Sequence, residues 1–124
     1  LLAWERNNHG HAVRVAIQAL YVAGAPYALY RARDGKLGWL QTAEARALLV
    51  DQLAAAIRAE AIALHDATTV GQFRTFHENE RGKAEAQHGF HDDDVIAAGI
   101  AWQLRRLLFG RVLTSPAERR RAAA

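Results

Sequence analysis

The sequence predicts one small α/β domain with a mixed sheet, and three observations carry that prediction. Short apolar runs bounded by turn residues alternate with longer segments whose apolar residues recur at helical spacing. Of the 124 residues, 51% are hydrophobic, enough for one packed core in a domain of this size. Glycine, proline and Asp-Gly punctuation separates the segments, which follow in the rough order βα ββ α β α ββ α.

The opening run "LLAWE", residues 1 to 5, reads as a buried strand that ends in the polar stretch from Arg6 to Gly10. A helix is predicted from His11 to Ala23, with Val13, Ile17, Leu20 and Tyr21 on one face and Gly24 and Pro26 as its stop. "YALYRARDGKLGWLQT" reads as a hairpin turning on Asp34-Gly35, a favoured two-residue turn. Thr42 then caps a long helix with Glu44 in its first turn and Leu49, Val50, Leu53, Ala54 and Ile57 as its apolar stripe. Ala61 to Leu64 is too short for a helix and is expected to be a strand. A short helix over Ala67 to Phe73 leads into "FRTFHENERGKAEAQHG", an irregular hairpin with Arg81-Gly82 near its tip. The last helix runs from Asp93 to Leu108. Val95, Ile96, Ile100, Ala101, Leu104 and Leu108 cover most of its circumference, so it is expected to be largely buried. Trp4, Trp39 and Trp102 each fall in an apolar pattern and are expected in the core, in preference to stacking on bases.

Composition narrows the chemistry. With no cysteine, thiolate metal sites and disulfides are excluded, and carboxylates, histidines or carbonyls would have to hold a metal, which favours magnesium or manganese. No apolar run reaches the roughly 18 residues of a membrane span, and the first residues lack the pattern of a signal peptide, so an intracellular protein with no membrane partner is expected. The chain opens on a strand-like run without an initiator Met, which suggests a piece of something longer. The net charge of +3 is concentrated late: from Arg105 to Ala124 there are six arginines against one glutamate. Residues 1–110 therefore read as the domain and 111–124 as a basic tail, which either attracts nucleic acid or is a solvated terminus.

The stretch "GFHDDDVIAAGIAW" crowds Asp92, Asp93 and Asp94 where a buried helix starts. One Asp there is an ordinary cap; three adjacent acids call for a compensating cation, often a divalent metal. Glu5 ends a buried strand, and carboxylates held at a strand end and a helix start are what a two-metal nuclease uses to clamp ions about 3.5–4 Å apart. Glu5 taken alone reads equally as a solvated acid. His91 is either a hydrogen-bond partner of the acids or a water or metal contact. At the hairpin, His77, His88, Arg81 and Lys83 are placed for phosphate contact or are merely solvated.

Three segments together carry a resemblance: "WERNNHG" followed by a helix, "GWLQTAEARALLVDQLAAAI", and "RGKAEAQHGFHDDDVIAAGIA". In order and spacing, over about residues 2 to 108, the chain resembles the C-terminal nuclease domain of tailed-phage terminase large subunits, the motors that package viral DNA. The resemblance implies an RNase H-like mixed sheet flanked by helices, lacking its first strands, and a Mg2+- or Mn2+-dependent endonuclease that cuts concatemeric DNA. It implies double-stranded DNA, an upstream ATPase domain, the portal and the small terminase subunit as partners, in the cytoplasm of an infected or prophage-carrying bacterium. The family's second acid lies in an E-x-N-x-x-G setting, matched by Glu5, Asn7 and Gly10; its third lies in "HDD", matched by Asp92 and Asp93.

Glu5, Asp92 and Asp93 are thus the expected catalytic and metal-binding residues, Asp93 foremost. His91 and Asp94 are accessory, and Arg81 and Lys83 contact DNA. Asp94 stands where the family usually has an apolar residue. The strand that carries the family's first Asp and any ATP-binding motif are absent, so the chain alone is expected to cut weakly or not at all, unless Asp66 or Asp94 completes the site. A non-catalytic docking or DNA-binding module, and another RNase H-like nuclease such as a junction resolvase, are the alternatives.

Overall fold

In a computed structural model, the described residues (1–7, 10–24 and 28–112) form a mixed α/β arrangement. Asn8, His9, Pro26 and the tail from residue 113 lie outside the described residues, as do the side chains of Tyr21 and of residues 108–112. Among the described residues the elements are α1 (Gly10–Val22), α2 (Ala43–Arg58), α3 (Ala67–Thr75), β1 (Phe76–Glu78), β2 (Ala84–Ala86) and α4 (Asp93–Val112).

Helix starts follow the side chains that can accept from free backbone N–H groups. Thr42 Oγ1 accepts from the Ala45 N–H at 3.1 Å and opens α2. Asp66 accepts from the Thr69 N–H at 2.8 Å and opens α3, which holds its carboxyl below the usual carboxylate range. Asp66 is therefore committed as a cap, which explains why it is not part of the acidic site considered below.

The sheet is smaller than the sequence predicts. Among the described residues only β1 and β2 form a ladder, antiparallel, with Phe76 opposite Ala86 and Glu78 opposite Ala84. "LLAWE" is extended but touches its neighbours through isolated parallel bridges, Leu2 with Leu29 and Glu5 with Trp39. The reason lies in the partner: between those two bridges the chain leaves to make the turn at residues 32–36, so no continuous strand faces residues 1–5. The predicted strand at Ala61–Leu64 does not form. Its first N–H donates to the Ala56 carbonyl at 2.9 Å and so finishes α2, with Glu60 in the left-handed region at φ 54°.

Both hairpins use the same turn. Gly35 N–H donates to Ala32 and Ala32 N–H to Lys36; Gly82 N–H donates to Asn79 and Asn79 N–H to Lys83. Each loop holds three residues and ends on a glycine at positive φ, 77° and 74°. Asp34-Gly35 is thus part of a three-residue loop and not the two-residue turn expected.

The core forms where α2 crosses α4. Leu49 of α2 is fully buried and packs with Ile96, Ile100 and Leu104 of α4, while Ala3, Tyr30, Val50 and Trp39 cover the cluster's edges. This crossing requires Gly99, because a Cβ there would lie 2.0 Å from Leu49 Cδ2. Contrary to expectation, α4 buries one face only: Ala101 is exposed, and Trp102 is half-buried beneath the Arg105 guanidinium, 3.5 Å from its ring centre. Trp4 is buried, as expected. The apolar face of α1 is largely uncovered, with Val13 and Leu20 both exposed. None of the described helices is long and apolar enough to cross a membrane.

Two glycine substitutions test the crossing. Gly99→Ala is expected to lower stability by about 1–3 kcal/mol in urea unfolding, overpacking outweighing the gain in helix propensity. Gly71→Ala, in α3 with open space around it, is expected to raise stability by roughly 0.5–1 kcal/mol. Equal effects at both positions would contradict the packing described.

Candidate acidic site

The E-x-N-x-x-G stretch assigns different work to each of its residues. Asn7 bridges to the segment before α2: its Nδ2 donates to the Gln41 carbonyl and the Gln41 N–H donates to its Oδ1, each at 2.8 Å. Gly10 lets α1 begin directly against the strand end, since a Cβ there would stand 2.4 Å from the Glu5 carbonyl oxygen. Arg6 forms a two-pronged ion pair with Asp34, one prong Nη1 to Oδ1 at 3.0 Å, tying the strand end to the first turn. Glu5 is different. Its side chain is exposed and makes no hydrogen bond or ion pair with any described residue, so Arg6, Asn7 and Gly10 shape its backbone without engaging its carboxylate.

The three aspartates also divide. Asp92 precedes α4, its carbonyl accepts from the Ile96 N–H at 3.0 Å, and its carboxylate accepts from Arg46 Nη2 of α2 at 2.6 Å. Asp94 turns toward α3: its N–H donates to Gln72 Oε1 at 2.8 Å, and its carboxylate lies 3.2 Å from Thr69 Oγ1. That hydroxyl is also 3.2 Å from Asp66, and its single proton serves one carboxylate at a time. Asp93 is 86% exposed, with His91 as its nearest partner at 3.9 Å, too long for a hydrogen bond.

Glu5, Asp92 and Asp93 are brought together. All three line one cleft of about 620 Å³, with Arg46 beside them and an apolar floor that includes Leu2, Ala3, Ile96 and Ile100. His91 and Asp94 do not line it. Among the described residues no group of three His, Asp or Glu side chains is arranged to hold a metal ion. The acids that line the cleft offer carboxylate oxygens, which match magnesium or manganese in kind and fall short in number.

Arg81 and Lys83 sit on the loop between β1 and β2, away from the cleft lining. Asn79 organises that loop by accepting the N–H groups of Arg81 at 2.9 Å and Lys83 at 3.0 Å and by donating to Glu85 at 2.7 Å. Lys83 pairs with Glu85 at 2.8 Å, and Lys83 first, then Asn79, hold the Glu85 carboxyl below the usual range. His77 and His88 are exposed.

Arg46 is the site residue that sequence reading misses. The signal was an arginine one turn ahead of Leu49 and Val50 in an otherwise apolar stretch, yet nothing local says that its partner lies 46 residues away. Compared with protein-family models, curated proteins and solved structures, the chain matches none.

The Arg6–Asp34 pair gives a pH test. The Arg6 guanidinium, and then the Lys36 N–H, pull the Asp34 carboxyl down to about 2. A depressed carboxyl contributes stability that is fully present above its unfolded value near ~4 and lost as pH falls through the folded value. Thermal melts are therefore expected to lose stability between pH 4 and 2, and Asp34→Asn is expected to flatten that slope. An unchanged slope in Asp34→Asn would assign the acid sensitivity to other groups.

Proposed function

We propose that this domain is a divalent-metal-dependent endonuclease acting on double-stranded DNA, of the type found in phage DNA-packaging terminases. One observation carries the reading: Glu5, at the isolated bridge to Trp39, and Asp92 and Asp93, at a helix start, line one cleft although they are far apart in sequence. The resemblance across "WERNNHG" and "HGFHDDDVIAAGIA" supports the same residues. An RNase H-like sheet belongs to this proposal.

In this reading Glu5 and Asp93 are the direct metal ligands, because both residues line the cleft and neither carboxylate makes a hydrogen bond to another described residue. Arg46 holds Asp92 in place beside them. A bound Mg2+ or Mn2+ would polarise the phosphodiester and acidify a water. The set falls short by at least one oxygen ligand. By the resemblance, an ATPase domain, portal and small subunit would be the domain's partners in packaging.

The non-catalytic alternative draws on a specific observation. Two of the three aspartates already have structural partners, Arg46 for Asp92 and Thr69 for Asp94, so the charge surplus left for a metal is smaller than the sequence suggests.

Nicking of supercoiled plasmid in Mg2+ or Mn2+ separates the two. In the longest expressed form of the protein, Asp93→Ala and Glu5→Ala are expected to lower nicking at least about a hundredfold, more than loss of an outer-shell partner. Asp94→Ala is expected to cost about 1 kcal/mol of stability and leave nicking unchanged. For the 124-residue chain alone, calorimetry is expected to show weak Mn2+ binding that Asp93→Ala removes. Full nicking by Asp93→Ala would end the nuclease assignment.

A further inference from the structure

Arg46 makes a second contact that the acidic cleft does not require. Its Nε–H and Nη2–H both donate to the Ala84 carbonyl, at 3.3 and 3.1 Å, while Nη2 also donates to Asp92. Ala84 is the first residue of β2, directly after the loop that carries Arg81 and Lys83. One part-buried guanidinium therefore joins three elements: α2, on which it stands; the β1–β2 hairpin; and the acid that opens α4.

The hairpin is ordered within itself. Asn79 collects the two backbone N–H groups at the tip, and the Lys83–Glu85 pair spans the end of the ladder. A tip that is internally fixed moves as one piece, so its position relative to the cleft depends on its attachments. Two of these are covalent, through α3 and through the segment leading to Asp92. Arg46 supplies a third that runs straight from the hairpin backbone to the cleft. Its fork geometry suits the task, because the planar guanidinium can meet a carbonyl and a carboxylate along separate N–H directions.

We infer that Arg46 is a positioning residue that locks the β1–β2 hairpin to the acidic cleft, holding a DNA backbone contacted by Arg81 at the hairpin tip at a fixed offset from Glu5 and Asp93. The DNA half of this statement rests on the nuclease reading; the mechanical coupling stands independently of it. Lysine cannot substitute fully. A single ammonium keeps the charge for Asp92 and loses the Nε–H that holds Ala84.

The chain has no cysteine, so spin labels can be placed cleanly at Glu80→Cys, on the hairpin tip, and Arg106→Cys, on the exposed side of α4. Pulsed electron resonance on the labelled full chain is expected to give a narrow distance distribution with Arg46, a broader one with Arg46→Lys, and a broad one with Arg46→Gln. If Arg46→Gln does not fold, Arg46→Lys decides alone. A distribution as narrow in Arg46→Lys as in the parent would overturn the coupling. In the longest expressed form, well below melting, Arg46→Lys is expected to lower kcat for nicking at least tenfold while the KM for DNA changes less than twofold. Unchanged kcat, or kcat and KM changed together, would overturn the positioning role. Absence of nicking in the unsubstituted protein would overturn the nuclease reading, and the distance measurement would still decide the coupling.

Discussion

Leu49 against Gly99 is the contact on which the remaining structure depends. It lets α2 and α4 approach closely enough for Ile96, Ile100 and Leu104 to close around one fully buried leucine. That crossing sets the distance between the first turns of both helices, and the polar consequence follows one turn away. Arg46 precedes Leu49 on α2, Asp92 precedes Ile96 on α4, and the two meet at 2.6 Å. The acidic end of the cleft is thus aligned by the core beneath it. A residue larger than glycine at position 99 would displace the carboxylates as well as the leucine.

The three aspartates illustrate how like charges are accommodated side by side. Repulsion is relieved by giving each a different direction: Asp92 to an arginine, Asp94 to a hydroxyl and a neighbouring helix, and Asp93 to solvent and the cleft. Like charges this close call for compensation. The Arg46 guanidinium supplies part of it, while Asp93 and Glu5 make no side-chain hydrogen bond with any described residue.

Much of the helical fold is legible in the sequence because its signals are local. Thr42 and Asp66 each cap within three residues, and Gly24 follows the first helix at a φ of 88°. Sheet structure is less legible, since a strand exists only with a partner. "LLAWE" has the right composition and finds isolated bridges, while Ala61–Leu64 lies where its first N–H finishes a helix. Burial on α1 fails for the same reason, as an apolar face does not say what covers it. Of the cleft lining, Asp92 and Asp93 are legible from their place at a helix start, and Glu5 from the change to polar residues that follows it. Arg46 is not, because its meaning depends on the α2–α4 crossing.

The central claim is that Glu5 and Asp93 share one cation position at the end of the cleft. Paramagnetic broadening of backbone amide signals by Mn2+ tests this most directly. The account predicts that broadening on titration centres on the amides around Glu5 and Asp93 and disappears in Asp93→Ala. Broadening centred instead on Asp66 or Glu85, or unchanged in Asp93→Ala, would contradict it.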